Sequence, residues 1–85
     1  MLSTESFSLK RQAQLHWVAS PGHHDIPGIF QVYLYDAGTR QLRGLPVSET
    51  VGSSKSGSTI LRGAGEYYLD VNAANCSWRV QVEPN

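Results

Sequence analysis

Apolar side chains fall at every second position through most of this chain. Tyr67, Leu69 and Val71 set the clearest example, and after a polar turn at Ala73-Ala74-Asn75 the same spacing returns in Trp78, Val80 and Val82. A period of two puts each trio on one face of a β-strand, because successive side chains point to opposite sides of the pleat. Phe7 and Leu9 alternate in the same way, followed by Ala13, Leu15 and Trp17, and then by Phe30, Val32 and Leu34. The run from Ile29 to Asp36 is the strongest strand of the front half, rich in the aromatic and β-branched types that fit a pleated surface. The Phe7 and Ala13 segments are expected to pair with each other across Arg11-Gln12.

Turn residues punctuate these runs. Ser20 to Gly28 carries two prolines and two glycines without periodicity and reads as a long loop. Asp36-Ala37-Gly38 and Gly63-Ala64-Gly65 read as turns, and Gly52 to Gly57 as a flexible polar connection. Between Thr39 and Val51, Gly44 and Pro46 interrupt Leu42, Leu45 and Val47, which suits an irregular or edge strand better than a central one. In Ser58 to Arg62 either Ile60 or the Thr59 and Leu61 pair faces inward, and the pattern does not choose. Nowhere do apolar residues recur at three and four over a helix-length window.

About seven to eight short strands, with turn signals every 8 to 12 residues or so, define an all-β chain: an antiparallel β-sandwich of jelly-roll or CUB-like type, or a squashed barrel. Its two sheets are expected to enclose Phe7, Leu9, Leu15, Trp17, Phe30, Val32, Leu34, Tyr67, Leu69, Val71, Trp78, Val80 and Val82. The opposite faces of the same strands then carry Tyr33 and Tyr35, and Tyr68, Asp70 and Asn72.

Composition narrows this picture. The 85 residues make a single domain, residues 1–85. Lys plus Arg and Asp plus Glu number seven each, so the formal charge is zero. That balance argues against a nucleic-acid partner, which rewards an excess of basic groups, and leaves little repulsion between copies. A single cysteine, Cys76, excludes an internal disulfide. No apolar run approaches the roughly 20 residues of a transmembrane segment. The start Met1-Leu2-Ser3-Thr4-Glu5 lacks the basic and apolar regions of an export signal. Two locations remain open on this reading: the cytoplasm, or an exported protein whose leader has been removed.

Candidate chemistry is sparse. His23, His24 and Asp25 are the one concentration of metal-type ligands, with His16 on the neighbouring strand, but adjacent histidines rarely converge on one ion and a solvated loop is the weightier account. Asp36, Asp70, Asn72 and Asn75 offer oxygens suited to calcium, yet no compact acidic loop supplies the six to eight or so that calcium takes. Lys55-Ser56 lacks the order of a phosphate loop, Cys76 lacks a basic neighbour to activate it, and no serine sits in a nucleophile-elbow context. No cofactor is expected. Tyr33, Tyr35 and Tyr68 carry more information, since tyrosine on a sheet face suits recognition, although cross-strand pairing explains them more simply.

Four pieces carry a family resemblance: Phe30 to Gly38, Gly57-Ser58-Thr59, Gly65 to Val71 (Gly-Glu-Tyr-Tyr-Leu-Asp-Val) and Ser77 to Val82 (Ser-Trp-Arg-Val-Gln-Val). Together they resemble a group of small uncharacterised bacterial β-sandwich domains with a Gly-x-Tyr-Tyr-Leu-x-Val and Ser-Trp-x-Val-x-Val motif. That group is similar, more distantly, to prepeptidase C-terminal and CUB-like sandwiches. The resemblance implies an accessory, non-catalytic module, often at the bacterial surface, with calcium bound in some distant relatives. The expected function is a binding or interaction module, docking on a protein partner or self-associating through a sheet face or an edge strand. A carbohydrate-binding module is the alternative, and a metal-dependent enzyme ranks third.

Overall fold

The computed structural model describes residues 2–23 and 25–84, with Pro84 described by its backbone alone. The chain forms β1 (Leu2–Ser3), β2 (Phe7–Leu9), β3 (Gln12–Pro21), β4 (Gly28–Asp36), β5 (Leu42–Val51), β6 (Lys55–Arg62), β7 (Gly65–Ala74) and β8 (Cys76–Pro84). They build two antiparallel sheets. The larger runs β1-β7-β4-β5, with β2 also paired to β7, and the smaller runs β6-β3-β8. Among the described residues there is no helix. The fold is the all-β antiparallel sandwich that the alternation implies.

Only β4 and β5 are joined as a hairpin within one sheet, and from β2 onward every other connection crosses between the sheets. The expected pairing of β2 with β3 is therefore overturned. Phe7 to Leu9 pairs with Tyr67 to Gly65, whereas Gln12 begins the central strand of the other sheet. Lys10 and Arg11 carry the chain across, so both segments keep their apolar residues inward while belonging to different layers.

Inward side chains of both sheets meet in one core. Leu9, Ala13, Leu15, Trp17, Ala19, Phe30, Val32, Leu34, Val47, Val51, Leu61, Tyr67, Leu69 and Val71 are buried, and among the described residues no charged, amide or other strongly polar side chain is buried with them. Phe7, Trp78, Val80 and Val82, expected in this core, are only partly buried. Their strands β2 and β8 lie at sheet edges, where a neighbour is missing on one side. In β6, Leu61 is buried and Ile60 exposed, which settles the undecided face. Leu42 and Leu45 are exposed, and the register slips between Val32 and Leu34 and again before Tyr35. β5 is thus the irregular edge strand that Gly44 and Pro46 imply.

Two turns are fixed by named groups. Gly63 (φ 108°) and Gly65 (φ 145°) adopt backbone angles that a Cβ disfavours. The Tyr67 hydroxyl donates its one hydrogen toward the Gly63 carbonyl at 3.1 Å, with the Ala64 carbonyl beside it at 3.3 Å, so the buried ring pins the turn leading into its own strand. At the hairpin, Asp36 Oδ1 accepts from the N–H groups of Gly38 and Thr39, both at 2.9 Å.

Gly57 has a different role. It lies opposite Trp17, and a Cβ there would stand 2.8 Å from the indole. Replacing Gly57 by alanine should force the Trp17 ring from its place and cost about 1–3 kcal/mol, as overpacked cores do. Denaturant unfolding of the variant measures this, and an unchanged midpoint would show that the indole moves freely.

Candidate functional site

The antiparallel register decides which outward side chains become neighbours. Gln31 faces Asn72, Tyr33 faces Asp70 and Tyr35 faces Tyr68 across β4 and β7, and Ser3 of β1 faces Asp70 from the other side. Directly opposed residues share a face. Tyr33, Tyr35, Tyr68, Asp70 and Asn72 therefore lie together on the outer face of the larger sheet. The three tyrosines are half-buried, not fully exposed.

Cross-strand contacts order this face. The Tyr35 and Tyr68 rings stack with centroids 5.3 Å apart and planes 9° from parallel. Gln31 Oε1 accepts from the Tyr33 hydroxyl at 3.2 Å and from Asn72 Nδ2 at 3.0 Å. Ser3 Oγ donates to Asp70 Oδ1. Next to the stack is an open polar depression of about 430 Å³, lined by Ser3, Thr4, Ser6, Ala37, Arg40, Tyr68 and Asp70. Arg40 reaches it from the hairpin, where the residue holds a left-handed φ of 62°. Sequence reasoning missed Ser3, Gln31 and Arg40, because nothing local marks a residue whose neighbours come from distant strands: Ser3 and Asp70 are 67 positions apart, and Gln31 and Asn72 are 41 apart.

The remaining candidates are dispersed. His23 pairs as an isolated bridge with Ile26 and is exposed, as is Asp25, while His24 lies outside the described residues. His16 sits mid-strand on the outer face of the smaller sheet, with Nε2 3.1 Å from Glu83 Oε2. Among the described residues no three His, Cys, Asp or Glu side chains gather as metal ligands.

The oxygens proposed for calcium are also apart. Asp36 caps the hairpin at one end of the larger sheet, and Asn75, following β7 at the other end, donates to the Ile26 carbonyl at 2.6 Å. Cys76 Sγ lies 3.4 Å from the Ile29 carbonyl, and burial pushes its thiol above the ordinary value, which keeps it protonated at neutral pH. Comparison with models of protein families, with curated proteins and with solved structures finds no match for this chain.

Two outcomes follow from these contacts. A double-mutant cycle on Tyr35→Ala and Tyr68→Ala should return a coupling of about 0.5–1.5 kcal/mol in unfolding free energy. Additive losses would mean that the rings do not support each other. Asp36 is held below its ordinary carboxylate value of 3.8, chiefly by the Thr39 N–H, with a smaller contribution from Gly38 that works against desolvation. A lowered folded value means that the stabilisation is present above the unfolded pKa and is lost as pH falls through the folded one. Asp36→Ala should lower Tm at pH 7, and the gap from wild type should close on acidification; a gap constant with pH would remove the charged cap from the account.

Proposed function

We propose that this chain is a non-catalytic interaction module that docks on a protein partner through the outer face of its larger sheet. The observation that carries this reading is the ordered tyrosine face. Tyr35 and Tyr68 form a stacked pair, and Tyr33 is tied to Gln31 beside it. Tyrosine supplies broad apolar contact and a hydroxyl at small entropic cost, and its prior immobilisation reduces what binding must order. The polar depression beside the stack adds a charged rim of Arg40 and Asp70, the arrangement of an apolar patch bordered by polar groups.

Carbohydrate binding by the same sandwich is supported less well. Sugars stack on flat, open aromatic faces, whereas one face of each ring in the Tyr35 and Tyr68 pair is covered by the other. Trp17 is buried in the core, and Trp78 faces it.

Affinity capture with the wild-type chain, compared with a Tyr33→Ala/Tyr35→Ala variant and a control on the opposite sheet such as Ile60→Ser, tests the proposal. The tyrosine variant should lose the proteins retained by wild type, and the control should keep them. Equal retention by all three would reject this face, and specific retention of an oligosaccharide on a glycan array would favour the second reading.

A further inference from the structure

Exposed sheet edges offer unpaired N–H and C=O groups to any approaching strand, and folded proteins usually blunt them. Three of the edges here are blunted. β1 and β2 are short and are separated by Thr4 to Ser6. β5 carries Gly44, Pro46 and the register slips. β6 begins at Lys55 and is fastened over β5, with Lys55 Nζ donating to the Thr50 carbonyl at 3.1 Å and lying 3.6 Å from Glu49, and Thr59 donating to the Pro46 carbonyl at 3.2 Å. β8 has none of these devices. It runs in unbroken register with β3 from Cys76 to Pro84, with no glycine, no lysine and no proline before its last residue.

Its two faces are also incomplete. Inward, Trp78, Val80 and Val82 are only partly buried, while Ser77, Arg79, Gln81 and Glu83 line the outer side. Among the described residues Arg79 has no ion-pair partner, and Glu83, although 3.1 Å from His16 Nε2, keeps its side chain 64% exposed.

Resting on the reading of this chain as an interaction module, but using a different sheet, we propose that β8 is a self-association edge that pairs antiparallel with β8 of a second copy about a two-fold axis at Gln81. The charges select that register. With Gln81 opposite itself, Arg79 of each copy faces Glu83 of the other, twice per dimer, and Val80 faces Val82 on the inner side, again twice. Moving the axis to Val80 sets Arg79 against Gln81 and Glu83 against Ser77; moving it to Arg79 sets two guanidinium groups face to face. A closed two-fold contact is self-complementary by symmetry, so one Arg and one Glu on the same strand suffice. Zero net charge leaves no overall repulsion to overcome. The two three-stranded sheets become one continuous six-stranded sheet, and the exposed flank of each apolar row meets its counterpart.

So small a contact places the dimer at the weak end of specific association, with dissociation constants of about tens to hundreds of micromolar. Sedimentation equilibrium of the full chain across that range should show monomer and dimer, with association weakening as salt rises. Arg79→Glu alone and Glu83→Arg alone should each weaken it about ten-fold or more, since both put like charges opposite each other, and the double exchange should restore it to within about three-fold. In a Cys76→Ser background, Gln81→Cys should form a disulfide-linked dimer on mild oxidation, whereas Ser77→Cys should not. A monomer throughout the range, or single and double charge variants that associate alike, overturns the proposal. A crosslink equally efficient at Ser77 overturns the register and with it the pairing argued here. Capture by the tyrosine face is measured separately and stands or falls independently of this result.

Discussion

Phe30 lies fully buried between two tryptophans of the opposite sheet, 5.7 Å from Trp17 and 6.0 Å from Trp78 between ring centroids. With a single cysteine and, among the described residues, no helix, this aromatic contact and the aliphatic side chains around it carry the cohesion of the sandwich. Burial of a phenylalanine side chain stabilises by about 1.5–3 kcal/mol, and close ring packing adds to that. The rest of the structure follows from keeping the layers in contact. Gly57 admits the Trp17 indole against β6, and the alternation of consecutive strands between sheets makes every crossing tie one layer to the other.

That layering separates two surfaces with different characters. On the larger sheet, β4 and β7 are central neighbours, and their outward side chains knit into a stacked and hydrogen-bonded face. The smaller sheet has only three strands, so both of its outer strands are edges. One is fastened to β5 beneath it, and the other leaves its backbone and part of its apolar row open. Recognition through an ordered face and strand pairing through an open edge draw on distinct physical resources, side-chain chemistry in the first and unpaired backbone groups in the second. Both fit a neutral sandwich, because neither depends on a long-range field.

Much of the fold was legible in alternation alone. Phe30, Val32 and Leu34, and Tyr67, Leu69 and Val71, announce a strand and its buried side within five residues each, since the period of the pleat is a local property. The irregularity of β5 could be read from Gly44 and Pro46, and the two turn glycines from their place between strands. Pairing was not legible. Phe7 to Leu9 and Ala13 to Trp17 look like consecutive arms of a hairpin, yet Lys10 and Arg11 between their strands take the chain into the other layer. Trp78, Val80 and Val82 have the spacing of a core trio, but their burial depends on a neighbour that β8 lacks.

By itself, then, the sequence determined that this chain is built of short strands, which side of most strands is apolar, and that its charges cancel. Those are consequences of residue type and spacing, which act over a few positions. Only the tertiary structure decided that Tyr35 meets Tyr68, that Ser3 meets Asp70 and Arg40 comes to their side, and that β8 is left as the open edge. Each of these depends on strand order and register between segments far apart in the chain, and a face that is merely polar or merely aromatic in sequence carries no mark of its partner.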